Sequence, residues 1–426
     1  MCEADSTHSD TGSSPAPGSA AEPDHDRSQR SHFTRRSLLG AAAVGAGLVI
    51  AKSLPGSSNG ALALGAPLTP VLPTLSTQPK GTVLTLLGTA GGPQAEYGRT
   101  GTSSVLTVDG YNYLVDAGRA SVTQYLNSGL QFFQLAAMFM THLHADHLAD
   151  YYNYFLLEGG QANAEGDRLN LDRKTQLQVF GPGSAGALPV TKNSFPIIAP
   201  QAPVPGIKDL TERLNEGYAY SYNLFMRGDG TQDIRLIQKI NEIEIPSSAG
   251  ASSTNTAPLM DPFKIYEDSR VSVSAILVPH GAVFPTFAYR FDTAHGAVVF
   301  SGDTSAPGFT PATNNIVKIA QGADILVHEV INWEVISAAA TLRHEDTSSA
   351  FFQHLKTSHT STSEVAKVAQ AAGVPQLVLT HLIPSNPLLI SDAVWKAQCS
   401  VGYSGRVHVG NDRDQIPLPA QRWPRT

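Results

Sequence analysis

The sequence THLHADH at residues 141–147 places three imidazoles and one carboxylate within six residues, directly after an apolar run typical of a buried strand. In extended chain, residues two apart point to the same side, so His142 and His144 can bind one cation. Where the chain turns into a helix, Asp146 and His147 face a second cation. Nitrogen and oxygen donors without thiolate suit zinc, with manganese or iron as alternatives. The competing interpretation is a polar loop at a helix start, capped by Asp146.

Composition bounds the class of protein. The chain has 426 residues, 42% hydrophobic and 15% charged, which is enough for one large or two ordinary domains. It excludes a wholly disordered protein, a coiled coil and a collagen-like fibre. Two cysteines, Cys2 and Cys399, exclude a disulfide framework and a thiolate zinc site. The net charge of −7 and the lack of a basic stripe predict that nucleic acid is an unlikely partner.

Residues 1–63 have the pattern of an export signal. A polar tail leads to the pair Arg35-Arg36, an apolar run follows at Leu38–Ala51, and small residues near Ala63 offer a cleavage site. This pattern resembles a twin-arginine signal, so we expect the twin-arginine export machinery as a partner and a periplasmic, cell-wall or extracellular location. The alternative is a membrane anchor, but the run is shorter than the roughly 20 residues of a spanning helix. We therefore expect no stable membrane span in the mature form.

The rest of the chain divides into a linker (64–79), a main domain (80–412) and a C-terminal tail (413–426), with 184–268 as an insertion or lid. Strands are predicted at Thr82–Leu87, Ser103–Val108, Tyr111–Val115, Leu135–Met140, Gln176–Phe180, Arg270–Val278, Thr286–Phe291, Ala297–Phe300, Ile325–Val327 and Gln376–Leu379. Helices are predicted at Ser121–Leu126, Leu148–Leu157, Lys208–Met226, Asn315–Gln321 and Ser363–Ala371. This order predicts an α/β (α+β) fold with two mixed β-sheets packed face to face and helices outside.

The segment 141–147 resembles the HxHxDH motif of the metallo-β-lactamase superfamily, and the resemblance extends through most of residues 80–412. Leu87–Pro93 is similar to the opening strand and loop of the ribonuclease Z and arylsulfatase branch. Leu114–Gly118 is similar to the strand whose aspartate, here Asp116, supports a metal-binding histidine. The resemblance implies a four-layer αββα fold and a centre of two divalent metal ions, Zn²⁺ or else Mn²⁺ or iron.

The resemblance also implies a ligand set. His280 follows the branch's third motif, Asp303 stands in the segment of the carboxylate that bridges both metals, and His381 stands in the last motif. Taken singly, a surface histidine, a turn residue and a strand cap would explain these three. Taken together and in order, the implied metal ligands are His142, His144, His280, Asp146, His147, Asp303 and His381.

Two further matches concern catalysis. His359 precedes a predicted helix, as does the branch's histidine that assists the leaving group; the alternative is an exposed histidine beside a helix cap. His328 and Glu329 correspond to a pair that supports the site from behind, although a purely structural pair explains them nearly as well. Asp146 would also orient the nucleophile.

These features predict an exported hydrolase in which a metal-bridging hydroxide attacks a small-molecule sulfate ester or phosphodiester. Three observations argue against tRNA as the substrate: the export signal, the acidic chain, and the six residues Phe291–Gly296, which leave no space for the branch's tRNA-gripping arm. Alternatives are a lactone or other carboxylic-ester hydrolase on the same site and a non-catalytic metal-binding protein. The sequence is also compatible with a homo-oligomer.

Overall fold

The computed structural model of the chain describes residues 81–159, 176–189, 195–229, 231, 233–306 and 308–418. The predicted signal segment and linker, residues 1–79, lie outside the described residues, as does 419–426 of the predicted tail. Within the described ranges, no helix is long and apolar enough to cross a membrane.

Fourteen strands are found in the described part of the chain. In chain order they are β1 (Thr82–Gly88), β2 (Ser103–Val108), β3 (Tyr111–Val115), β4 (Leu135–Phe139), β5 (Leu177–Pro182), β6 (Gln238–Ile243), β7 (Phe263–Glu267), β8 (Val271–Leu277), β9 (Phe287–Thr293), β10 (Gly296–Phe300), β11 (Ile325–Ile331), β12 (Gln376–Ile383), β13 (Arg406–Val409) and β14 (Gln415–Pro417).

The strands form two seven-stranded sheets. The first has the order β14-β1-β2-β3-β4-β5-β6, antiparallel from β14 to β3 and parallel from β3 to β6. The second has the order β13-β12-β11-β10-β9-β8-β7, parallel from β13 to β10 and antiparallel beyond. Both sheets are mixed, as predicted.

The core between the sheets is aromatic and aliphatic. Phe139 of the first sheet meets Phe291 of the second with ring centroids 5.1 Å apart, and Tyr113 lies 6.3 Å from the same ring. These side chains belong to one buried cluster that draws on both sheets. Burial of these apolar side chains, which stabilises a fold by about 25 cal/mol per Å² of surface removed from water, is the main force that holds the two sheets together.

Helices cover the outer faces. They are α1 (Ser121–Asn127), α2 (Ala145–Leu148), α3 (Ile207–Gly217), α4 (Ala219–Leu224), α5 (Asn315–Ala320), α6 (Trp333–Leu342), α7 (Ala350–Ser358), α8 (Thr362–Ala372) and α9 (Asp392–Cys399). α1 packs beside the first sheet with Tyr125 in a second buried cluster, and α5 and α8 pack against the second sheet. The predicted four-layer αββα arrangement is confirmed.

Several predicted elements differ from those in the structure. The helix predicted at Leu148–Leu157 is instead α2 followed by a separate π-helical turn at Tyr154–Gly159, and the helix predicted at Lys208–Met226 is divided at Tyr218 between α3 and α4. The segment 184–268 contributes two edge strands, β6 and β7, so part of it belongs to the sheets.

The tail predicted at 413–426 also contributes to the fold. Ile416 in β14 is buried, and the strand pairs antiparallel with β1.

Candidate metal centre

The histidine-rich loop follows β4 and is fixed by Asp116, the residue after β3. The Thr141 amide donates to Asp116 Oδ1 at 2.8 Å, and the Thr141 hydroxyl donates to Asp116 Oδ2 at 2.8 Å. Because that hydroxyl gives its proton to the carboxylate, it accepts from His142 Nδ1 at 3.1 Å. This leaves the lone pair of His142 Nε2 free to bind a metal ion.

Two other rings are oriented in the same way. His147 Nδ1 donates to Asp116 Oδ2 at 2.8 Å, and His280 Nδ1 donates to the Ser358 carbonyl at 2.8 Å. A carboxylate and a carbonyl can only accept here, so each ring carries its proton on Nδ1. In both rings the lone pair of Nε2 is therefore available.

The first cluster combines His142, His144, His280 and Asp303. Their ligand atoms lie within 4.8 Å of one another. Nε2 of His142 and Nε2 of His280 are 3.8 and 3.7 Å from Asp303 Oδ2, and His280 Nε2 is 3.3 Å from His144 Nδ1. The spacing of the sequence paired His142 with His144, and the family resemblance added His280 and Asp303.

The second cluster combines Asp146, His147, His381 and the same Asp303, again within 4.8 Å. His147 Nε2 lies 3.3 Å from Asp303 Oδ1, and His381 Nε2 lies 3.2 Å from Asp303 Oδ2. His381 Nε2 is also 3.3 Å from Asp146 Oδ2. Asp303 therefore lies between the two clusters, as a bridging carboxylate would.

The donor atoms have the spacing that metal ligands require. Two ligands at about 2.0–2.2 Å from one tetrahedral ion lie about 3.3–3.6 Å apart. The nitrogen–oxygen distances of 3.2–3.3 Å to Asp303 and Asp146 in the second cluster are close to this range, and those of 3.7 and 3.8 Å in the first cluster are slightly longer. Nε2 of His142, Nε2 of His147 and Oδ1 of Asp303 are buried, and none makes a hydrogen bond among the described residues. Buried polar atoms are normally paired, so these three atoms fit the role of ligands to a cation. The two clusters can each hold a metal ion.

The electrostatics favour the ligand forms of these groups. Burial lowers the pKa of His142 well below its ordinary value and lowers the pKa of His280 to about 3. Burial acts to raise the pKa of Asp146, but His147 and His381 outweigh it, so this pKa lies below its ordinary value. Burial opposes the charged form of His147, but Asp303, Asp116 and Asp146 outweigh it and raise the pKa of His147 well above its ordinary value. The first cluster thus presents neutral imidazoles, whereas a cation at the second cluster would have to displace a proton from His147.

A tight turn after β10 positions the bridging carboxylate. Gly302 has φ +57°, and a Cβ there would lie 2.6 Å from the Phe287 carbonyl oxygen. Only glycine combines that backbone with that contact. Asp116 and His381 also have positive φ, 57° and 43°, and such strained residues concentrate at functional sites.

His359 lies beside both clusters and is held by Glu329 of β11. Its ring is centred 5.1 Å from that of His280 and 5.5 Å from that of His381, and its Nδ1 is 3.2 Å from Glu329 Oε2. Burial opposes the charged ring, but the Glu329 carboxylate outweighs it and raises the pKa of His359. A protonated imidazole suits a general acid.

The predicted pair His328 and Glu329 separates in role. Glu329 Oε1 accepts from the Thr360 amide at 2.8 Å and from the Thr304 amide at 3.3 Å, so its carboxylate is fixed. His328 Nδ1 donates to the Glu329 carbonyl at 2.6 Å. Glu329 therefore contacts the site directly, whereas His328 supports the backbone behind it.

Sequence reasoning missed His354, on the outer side of the first cluster. Its ring is centred 5.9 Å from His280 and 6.4 Å from His144, and its Nδ1 is 3.1 Å from Ser358 Oγ. His354 lies five residues before His359, so a prediction of helix α7 would have placed His354 on the same side of the site as His359.

Known proteins resemble the chain in sequence and in fold. No family model matches it. It is 27% identical over 341 residues to ribonuclease Z of Mycobacterium bovis (strain BCG / Pasteur 1173P2), covering 80% of this chain and 99% of that protein. It is 26% identical over 336 residues to ribonuclease Z of Mycolicibacterium gilvum, covering 79% and 96%. The crystal structure of human tRNase Z, short form, aligns with a TM-score of 0.50 at 17% identity, covering 79% of this chain and 99% of that one, and shows the shared fold.

The fold and the two clusters define a metal-dependent hydrolase of ester bonds. Its sequence similarity to ribonuclease Z proteins and its shared fold support the predicted metallo-β-lactamase superfamily and, within it, the ribonuclease Z branch.

The relatives overturn one prediction. Nucleic acid was expected to be an unlikely partner and a small-molecule ester the substrate, but proteins related over nearly their whole length are ribonucleases. The prediction was wrong because it relied on the net charge of −7, which describes the whole chain, whereas bound cations would dominate the charge at the site.

Proposed function

We propose that the chain cleaves phosphodiester bonds of RNA with two divalent metal ions, Zn²⁺ in the first instance. The observation that carries the proposal is the pair of clusters that share Asp303. The substrate class rests on the ribonuclease Z relatives, which the chain matches over 96–99% of their length.

The ligand sets follow from the clusters. One ion would be held by His142, His144 and His280, the other by Asp146, His147 and His381, with Asp303 shared. When bound, such ions lower the pKa of water towards ~7 and neutralise charge on the phosphoryl group.

Two residues of the chain, His359 and Asp146, would direct the proton transfers. His359 engages Glu329 through Nδ1, which leaves Nε2 to give its proton to the ester oxygen as the phosphorus–oxygen bond breaks. Asp146 Oδ2 lies among the ligand atoms of the second cluster and can accept a hydrogen bond from the attacking water. The oxygen of that water forms the new bond to phosphorus.

Turnover of matched substrates tests the proposal. Metal-loaded protein is incubated with labelled RNA, bis-p-nitrophenyl phosphate, p-nitrophenyl sulfate and a lactone panel. We expect cleavage of RNA and of the phosphodiester, and loss of RNA cleavage in His359→Ala. Turnover of sulfate or lactone alone would contradict the proposed substrate class. A protein that binds two metal ions and turns over none of the four would be a non-catalytic metal-binding protein.

We also propose that residues 1–63 direct export. The support is the sequence pattern of Arg35-Arg36 followed by the short apolar run. N-terminal sequencing of the protein from fractionated cells tests it. An N-terminus just after Ala63 outside the cytoplasm is expected, and an intact N-terminus confined to the cytoplasm would contradict export.

A further inference from the structure

An apolar pocket opens beside the first cluster. It has a volume of about 350 Å³, and its wall includes Leu143 and His144 on one side and Val283 and Phe284 on another. Leu143 and His144 belong to the histidine-rich loop, and Val283 lies three residues after His280. The pocket is therefore continuous with the site at which a phosphoryl group would bind.

The lining identifies the chemistry of the occupant. Of the described residues that line the pocket, only His144 and Ser253 have polar side chains, and none is an Asp, Glu, Lys or Arg. Ala185, Leu188 and Val204 complete an aliphatic wall. Such a surface does not stabilise a second phosphate, whose charge would lose hydration without a partner. It favours an uncharged ring, and ligand pockets begin at about 300 Å³.

The position of His359 indicates which part of the substrate enters. His359 contacts the rings of His280 and His381 but does not line the pocket. In an in-line displacement the acid acts on the leaving oxygen, whereas the other ester group stays on phosphorus and extends sideways. The group in the pocket is therefore the one that remains on phosphorus.

We infer that this pocket binds the uncharged ring of the group retained on the phosphoryl centre, namely the nucleobase next to the cleaved phosphodiester. The inference rests on the proposed function, because that function supplies a nucleotide. With two polar side chains in the described wall, the pocket holds the base by contact with its faces and discriminates weakly between bases.

Equilibrium binding to metal-loaded protein tests the inference without turnover. Calorimetry compares uridine 5′-monophosphate and its 3′ isomer with phenyl phosphate and methyl phosphate, which share the phosphoryl group. We expect at least one uridine nucleotide to bind about tenfold or more tightly than methyl phosphate, as burial of a ring requires. In Ala185→Trp, which fills the pocket, that ratio should approach one. Val204→Trp blocks the same space from another wall and serves if the first variant does not fold.

The matched control is Ala294→Trp. Ala294 is exposed in the turn before β10, whereas Asp303 follows the other end of that strand, so this variant should retain the selectivity. Equal binding of all four ligands, or equal effects of Ala185→Trp and Ala294→Trp, would overturn the inference. Selectivity for phenyl phosphate alone would replace the nucleobase by a simple aryl ring. Ring-selective binding without RNA cleavage would refute the proposed function and leave the pocket assignment standing.

Discussion

The substitution Asp116→Asn isolates the charge behind the second cluster. Asp116 Oδ2 accepts from His147 Nδ1 at 2.8 Å, and Oδ1 accepts from the Thr141 amide at 2.8 Å. Asparagine tolerates the φ of +57° and keeps one oxygen for the amide, so the loop should retain its conformation. The variant removes the negative charge that makes His147 a strong ligand.

Loss of such a supporting contact costs about 10–100-fold in metal affinity, which is about 1.4–2.7 kcal/mol. Asp116→Ala is the harsher comparison, because it also leaves the Thr141 amide buried without its acceptor, at an additional cost of about 1–3 kcal/mol in folding stability.

Chelator competition measures the affinity for each of two zinc ions, and urea unfolding of the metal-free protein measures stability. We expect Asp116→Asn to weaken binding of the second ion and to lower metal-free stability by less than Asp116→Ala does. Its NH2 group removes the acceptor of His147 Nδ1 and of the Thr141 hydroxyl, but the Thr141 amide keeps its acceptor. Wild-type affinity for both ions in Asp116→Asn would refute the argument that Asp116 acts through His147.

Three other predictions concern the general acid His359, its partner Glu329, and Asp412, which belongs to neither metal cluster. His359→Ala should lower the rate about 10²–10⁴-fold for a ribose leaving group but far less for p-nitrophenolate, which needs no acid. Steady-state kinetics on an RNA substrate and on a p-nitrophenyl ester would measure the two losses. Equal losses on the two substrates would contradict a general-acid role. Glu329 raises the pKa of His359, and the acid is lost as pH rises through that pKa, so the rate should fall there. In Glu329→Gln this fall should begin at lower pH. An alkaline limb of the pH–rate profile that does not move would rule out the role of Glu329 in raising the pKa of His359. Asp412 accepts hydrogen bonds from the amides and hydroxyls of Thr89 and Thr100 at 2.6–3.0 Å. Asp412→Ala should therefore lower the free energy of unfolding in urea by about 2–4 kcal/mol. A change below about 1 kcal/mol would contradict a stabilising role for these four hydrogen bonds.

The sequence was most informative where ligands follow buried strands. The apolar runs of β4 and β10 are continuous and end at polar residues, so His142 and Asp303 could be placed at strand ends before the structure was known. β4 has parallel neighbours on both sides and β10 has one, and nearly every residue of both strands is buried, which gives a continuous apolar run.

Edge strands and short helices escaped prediction for a physical reason. β6, Gln238–Ile243, has only its last residue buried, and β7, Phe263–Glu267, has none. Edge strands lack the apolar alternation on which sequence reasoning depends. α7 was missed as well, since only Phe352 and Ser358 are buried along it, and with α7 the position of His354 was missed.

The substrate class could not be derived from the charge of the chain. Two carboxylates, Asp146 and Asp303, lie among five imidazoles in a buried site, and their effect is local. The charge of −7 is a sum over the whole chain and says nothing about this site.

The most direct test of the binuclear centre is anomalous diffraction at the zinc absorption edge from crystals of the metal-loaded protein. We expect two peaks, with Asp303 between them. One should lie about 2.0–2.2 Å from ligand atoms of His142, His144 and His280, and the other at that distance from ligand atoms of Asp146, His147 and His381. A single peak, or peaks away from these residues, would contradict it.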